Sequence, residues 1–168
     1  MDIYTKVAGI TQESVKDYKH HTLPNHVLSR QEMKTKQIEN ALRGFAAGCA
    51  EEDIEAYCNT GAFSNGKKGF LFSKKGLYGS MFDHLRKKNP IPQPICYDEL
   101  SDVSVAEDSA DYMCLCYKDG RRESVCGSIY TGFLVTALKL ILGTGEENLS
   151  APNTDGMLTN DESSESEY

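Results

Sequence analysis

The chain has no apolar run long enough for a membrane helix, which takes roughly 20 residues. Its longest, around GFLVTALKLIL, is too short and is interrupted by Lys139. The N-terminus shows no basic start followed by an apolar block, so no secretory signal is expected and residence in the cytoplasm is. No familiar zinc spacing occurs, and no Ser-His-Asp or Cys-His arrangement suggests a catalytic centre. An overall basic surface of the kind that binds nucleic acid is also missing. These absences leave an ordinary globular composition, 39% hydrophobic and 26% charged over 168 residues, enough for one domain with a proper core.

The net charge of −7 is not spread evenly. Residues 143–168 hold seven of the 25 acidic side chains and no basic one, which leaves 18 acidic against 18 basic residues in the rest of the chain. The acidity therefore belongs to a tail, and TNDESSESEY has nothing to bury. Residues 62–90 carry the opposite bias: Lys67, Lys68, Lys74, Lys75, Arg86, Lys87 and Lys88 stand against Asp83 alone. Six cysteines are present, but without an export signal they read as reduced thiols, most of them buried as small apolar residues.

Residues 1–28 are weakly patterned and expected to be weakly ordered. Ser29 followed by Glu32 spells a capping box, ahead of Met33, Ile38, Ala41, Leu42 and Phe45 near helical period. Gly48 is expected to close or bend that helix. AEEDIEAYC, with acids in its first turn, predicts a second short helix, so that 29–60 forms a helical lead-in. From Gly69 the pattern turns to strands. GFLFS and GLYGSMF flank Lys74–Lys75 as a hairpin, ICYDEL and SDVSVAE read as two strands, and DYMCLCYKDGRRESVCG is a hairpin about Lys118-Asp119-Gly120. Ser128 is placed as the cap of a long amphipathic helix that ends at Gly143.

Gly61-x-x-x-x-Gly66-Lys67 comes within one residue of a phosphate-binding loop, but Lys68 stands where Ser or Thr should hold the metal. Such a loop also follows a strand and opens a helix, whereas here a helical reading precedes it and a strand follows. No strand ending in Asp follows to supply the second metal contact. The glycines are therefore read as turn residues.

KGFLFSKKGLYGSMF, followed by ICYDELSDVSV, a basic-turn hairpin and a terminal amphipathic helix, resembles the small bacterial pleckstrin-homology-like (PH-like) domains. The matching residues are Gly69 to Tyr78 and Ile95 to Leu100, within a likeness that covers about residues 34–142. The resemblance implies an α+β fold: N-terminal helices, then a strongly bent antiparallel sheet or partly open barrel over 61–142, capped by the C-terminal helix. It implies a docking platform and brings no catalytic residues, cofactor or metal.

The expected partner is a protein or peptide, with self-association through the N-terminal helices, and no specific nucleic acid. The seven basic residues at 67, 68, 74, 75, 86, 87 and 88 are the candidate site for an anion, a membrane surface or a partner, if their loops converge. The bland reading is a solvated, lysine-protected edge. Cys114-x-Cys116 places two thiols on one strand face, and a structural metal would need two further ligands, from Cys126, Cys96 or His84. His20, His21 and His26 read as exposed polar residues without an acid partner.

Overall fold

The computed structural model describes residues 2–82 and 93–144. The acidic tail from 145 onward and the basic residues Arg86, Lys87 and Lys88 lie outside the described residues. The helices are α1 (Ile3–Ala8), α2 (Gln12–Val15), α3 (Thr35–Arg43) and α4 (Thr131–Leu142). The strands are β1 (Val27–Ser29), β2 (Ile54–Asn59), β3 (Gly69–Ser73), β4 (Gly76–Gly79), β5 (Ile95–Cys96), β6 (Leu100–Val105), β7 (Tyr112–Tyr117) and β8 (Arg122–Cys126). They form two antiparallel sheets, β1-β2-β3-β4-β5 and β6-β7-β8, each in sequence order. The architecture is thus α+β with a C-terminal helix, and the expected single bent sheet or barrel is replaced by two separate sheets.

The change of sheet occurs inside ICYDEL, which the sequence suggested was one strand. A 3₁₀ turn at Tyr97–Glu99 splits it, ending β5 and launching β6. The Tyr97 hydroxyl donates to the Ser73 carbonyl at 2.9 Å and its amide to the Lys75 carbonyl, which pins the corner to the β3–β4 turn. The two sheets face each other across a core of Phe70, Phe72, Leu77, Ile95, Val103, Met113, Leu115 and Val125, closed by Phe133, Leu134 and Leu138 of α4. Burying each such side chain is worth about 1.5–3 kcal/mol.

A second cluster lies on the other face of the five-stranded sheet, where Tyr57, Leu71 and Tyr78 pack with Met33, Ala41 and Phe45. That sheet is therefore covered on both faces, which explains why every residue of β3 is buried and why GFLF reads as a run without alternation. The same cover accounts for β2. AEEDIEAYC does not form a helix: Glu51–Asp53 make a 3₁₀ turn and Ile54–Asn59 a strand whose residues are buried on both faces. The capping box forms, with Ser29 and Glu32 bonded reciprocally, but it opens only the 3₁₀ turn Arg30–Glu32. α3 then starts at Thr35 and ends at Arg43, with Gly44 as its C-cap, ahead of Gly48.

The first 28 residues also depart from expectation. Asp2 and Thr11 cap α1 and α2, and Val7, Ile10 and Val15 enter the main core. Tyr4, Val7 and Ile10 do carry a helical spacing, but Gly9 ends the first helix after six residues and the second has four, too short a pattern to signal order from sequence. At the other end, Gly143 (φ 85°) closes α4 with paired amide bonds from Gly143 to Leu140 and from Thr144 to Lys139. Ser128 is not its cap: it lies at φ 51° in a 3₁₀ turn, Ser128–Tyr130, ahead of the helix. No helix among the described residues is long and apolar enough to cross a membrane.

Candidate functional site

The structure separates the lysines that the sequence grouped. Lys67 and Lys68 precede β3, whereas Lys74 and Lys75 follow it, all four exposed. Six strand steps at about 3.3 Å put Lys68 and Lys74 roughly 20 Å apart, at opposite ends of the sheet. Lys74 instead borders a surface cleft of about 560 Å³ with Asp2, Glu52, Glu55 and Arg30, where acidic groups outnumber it. Among the described residues, then, the basic side chains do not converge.

The near phosphate loop is the β2–β3 connection. A strand does precede it, contrary to the helical reading, but another strand follows, so the loop does not open a helix as a phosphate-binding loop does. The loop is anchored by polar side chains. Buried Gln37 donates from Nε2 to the carbonyl and hydroxyl of Ser64 (2.9 and 3.0 Å), while its Oε1 accepts from Lys34 N at 2.8 Å. Asn40 donates to the Asn65 carbonyl, and Tyr57 donates to the Lys68 carbonyl at 2.6 Å. Gly66 has φ 83°, and a Cβ there would meet the Gln37 carbonyl at 2.2 Å. Phe63 stands on this loop 77% exposed, a feature the sequence reading passed over.

The three-stranded sheet is exposed in a way the other is not. Its inner face is core, but its outer face carries Cys114 and Cys116 of β7 and Arg122, Ser124 and Cys126 of β8, all partly or fully exposed. The phase of the β7–β8 ladder is fixed at both ends. Tyr117 N donates to the Arg121 carbonyl at 2.9 Å, and Gly127 N donates to the Asp111 carbonyl at 2.8 Å. With Leu115 opposite Glu123 and Met113 opposite Val125, the backbone groups of Glu123 and Val125 face β7. Those of Arg122, Ser124 and Cys126 therefore point away from it. Among the described residues no strand pairs with that outer side, and no turn or loop backbone bond reaches these three residues. A cleft of about 480 Å³ lies beside it, lined by Ser104, Glu107, Asp108, Cys114, Arg122 and Ser124.

The hairpin that presents this edge is locally determined. Gly120 takes φ 94° after Lys118-Asp119, the Arg121 guanidinium carbon lies 4.7 Å from the centre of the Tyr117 ring, and the Tyr117 hydroxyl donates to Glu123 Oε1 at 2.7 Å.

All six cysteines are free, and only Cys58 is buried, so the expectation that most would be buried fails on the outer sheet face. Burial pushes the Cys58 thiol well up, and pushes Cys49 up to about 11 with help from Asp53 and Glu52. Burial and the neighbouring Cys116 raise Cys114 as well. Among the described residues no three His, Cys, Asp or Glu side chains group to hold a metal ion. His20 is not unpartnered: its Nε2 lies 2.5 Å from Asp111 Oδ1, and its carbonyl accepts from Gly132 N, tying the N-terminal segment to β7 and α4. Comparison with known proteins gave no matching family model, no matching curated protein and no matching solved structure.

Proposed function

We propose that the chain is a non-catalytic bacterial interaction module of the PH-like kind, resident in the cytoplasm, that docks an extended protein or peptide segment by strand addition at β8. The observation that carries this reading is the outer side of β8, with which no strand pairs among the described residues and where the backbone donors and acceptors of three alternate residues point away from β7. An incoming strand gains its main-chain bonds there, and the adjoining cleft receives alternate side chains. Arg122 on the edge and Glu107 and Asp108 in the cleft give it mixed charge, which suits a polar segment better than an apolar one. Two successive antiparallel meanders followed by a helix support the PH-like relationship.

A second reading, recognition of an anionic ligand or membrane surface, narrows to Lys67 and Lys68, because the exposed Phe63 shares their loop whereas Lys74 sits among acids. The first reading is tested by affinity capture from the native cell with the wild-type chain and with Ser124→Pro. Strand addition requires a partner retained by the wild type and by Lys67→Ala/Lys68→Ala but lost with Ser124→Pro. Equal capture by the wild type and Ser124→Pro would overturn it.

A further inference from the structure

Free cysteine is among the residues most often buried, so two partly exposed thiols on the solvent face of a central strand call for an explanation. Cys114 and Cys116 are two apart on β7, hence on one face, with Cα atoms roughly 6.8 Å apart. That spacing is at the upper limit for a disulfide, and the two Cβ atoms stand side by side instead of converging, so direct S–S closure would distort the strand. The sulfurs themselves can approach: the two thiols interact with each other, and Arg122, which lies opposite Cys116 in the ladder, interacts with both. β7 is paired on both sides, so the thiols are held on a rigid element.

A single bridging atom suits this geometry better than an S–S bond. At about 2.3 Å per metal–sulfur bond, a linear two-coordinate centre spans about 4.6 Å between sulfurs, shorter than the Cα separation and reachable by side-chain rotation. Zinc or another ion that demands four ligands lacks them, because no third His, Cys, Asp or Glu joins the pair among the described residues. Soft thiolate pairs select monovalent copper-group ions. Two thiolates and one monovalent cation carry a net charge of −1, and the Arg122 guanidinium beside them supplies the balancing charge. We propose that Cys114 and Cys116 form a two-coordinate site for a soft monovalent cation, copper(I) by class, with Arg122 as its charge-neutralising neighbour. Binding exchanges two thiol protons for one cation, without oxidation or reduction. Cys114 and Arg122 also line the cleft used in the strand-addition reading, but the copper(I) titration below needs no partner, so each proposal can fail without the other.

The test is anaerobic titration of the full chain with copper(I) against a copper(I) chelator, read by native mass spectrometry. The expected product is one ion per chain with the loss of two protons, while zinc(II) offered in the same way is not retained. Cys114→Ser and Cys116→Ser should each abolish retention with an unchanged circular dichroism spectrum, whereas Cys49→Ser, Cys96→Ser and Cys126→Ser should keep it. Arg122→Gln should weaken binding by about 10- to 100-fold, as loss of an outer-sphere partner does. No retained copper(I), equal retention of zinc, or retention that survives Cys114→Ser would overturn the proposal.

Discussion

Two proline substitutions one residue apart on β8 should have unequal consequences. Glu123 N–H faces β7 and bonds within the ladder, whereas Ser124 N–H faces away from it. Glu123→Pro removes a ladder bond inside a hairpin and also the 2.7 Å bond from the Tyr117 hydroxyl. The combined loss is about 3 kcal/mol or more. Ser124→Pro removes no backbone bond among the described residues, and proline is tolerated on a strand whose N–H points out of the ladder. Its residual strain is offset by the reduced freedom of the unfolded chain, leaving about 1 kcal/mol or less. The gap of at least about 2 kcal/mol corresponds to roughly 6 °C in Tm for a chain of this size. Urea and thermal unfolding followed by far-ultraviolet circular dichroism suit a chain without tryptophan. Equal costs, or a larger cost for Ser124→Pro, would refute the ladder phase and with it the free edge.

Gln37→Ala removes two hydrogen bonds that join α3 to the β2–β3 loop and a third that caps the start of α3, and should cost about 2 kcal/mol by urea unfolding; a change below about 0.5 kcal/mol would show the loop held by other means. Vesicle co-sedimentation should find any binding to anionic lipid reduced by Lys67→Ala/Lys68→Ala and unchanged by Lys74→Ala/Lys75→Ala, and the reverse order would restore the wider patch. The Glu32 carboxyl is held below its usual range, first by the Ser29 backbone bond and then by the Ser29 and Tyr4 hydroxyls. Its contribution is therefore present above the unfolded glutamate value of about 4.3 and lost as pH falls through the lower folded value. Glu32→Gln should flatten that part of the acid unfolding curve, and an unaltered curve would remove the assignment. Alkylation at pH 8 should leave Cys58 untouched and be slow at Cys49, whose thiol is pushed up to about 11, which mass mapping can check.

The elements that sequence disclosed are those defined by local signals. Alternation of Met113, Leu115 and Tyr117 about a Gly120 turn located β7 and β8, and Gly143 marked the end of α4. What escaped depends on packing that no short window contains. β2 lacks alternation because α3 covers its second face, and the acids before it imitate a helix start. The lysines looked like one patch because they are close in sequence, yet a strand carries six residues across roughly 20 Å. The pairing of His20 with Asp111 spans 91 positions, and no spacing rule predicts it. The hairpin was legible, but that β8 has no strand on its other side among the described residues is a property of the assembled sheet.

Amide hydrogen exchange along β8, with and without a captured partner, tests strand addition most directly. In the free chain Glu123 and Val125 should exchange slowly while Arg122, Ser124 and Cys126 exchange fast, and on binding all five should become slow. A partner that leaves Arg122, Ser124 and Cys126 fast and protects the loop at residues 61–68 instead would contradict it.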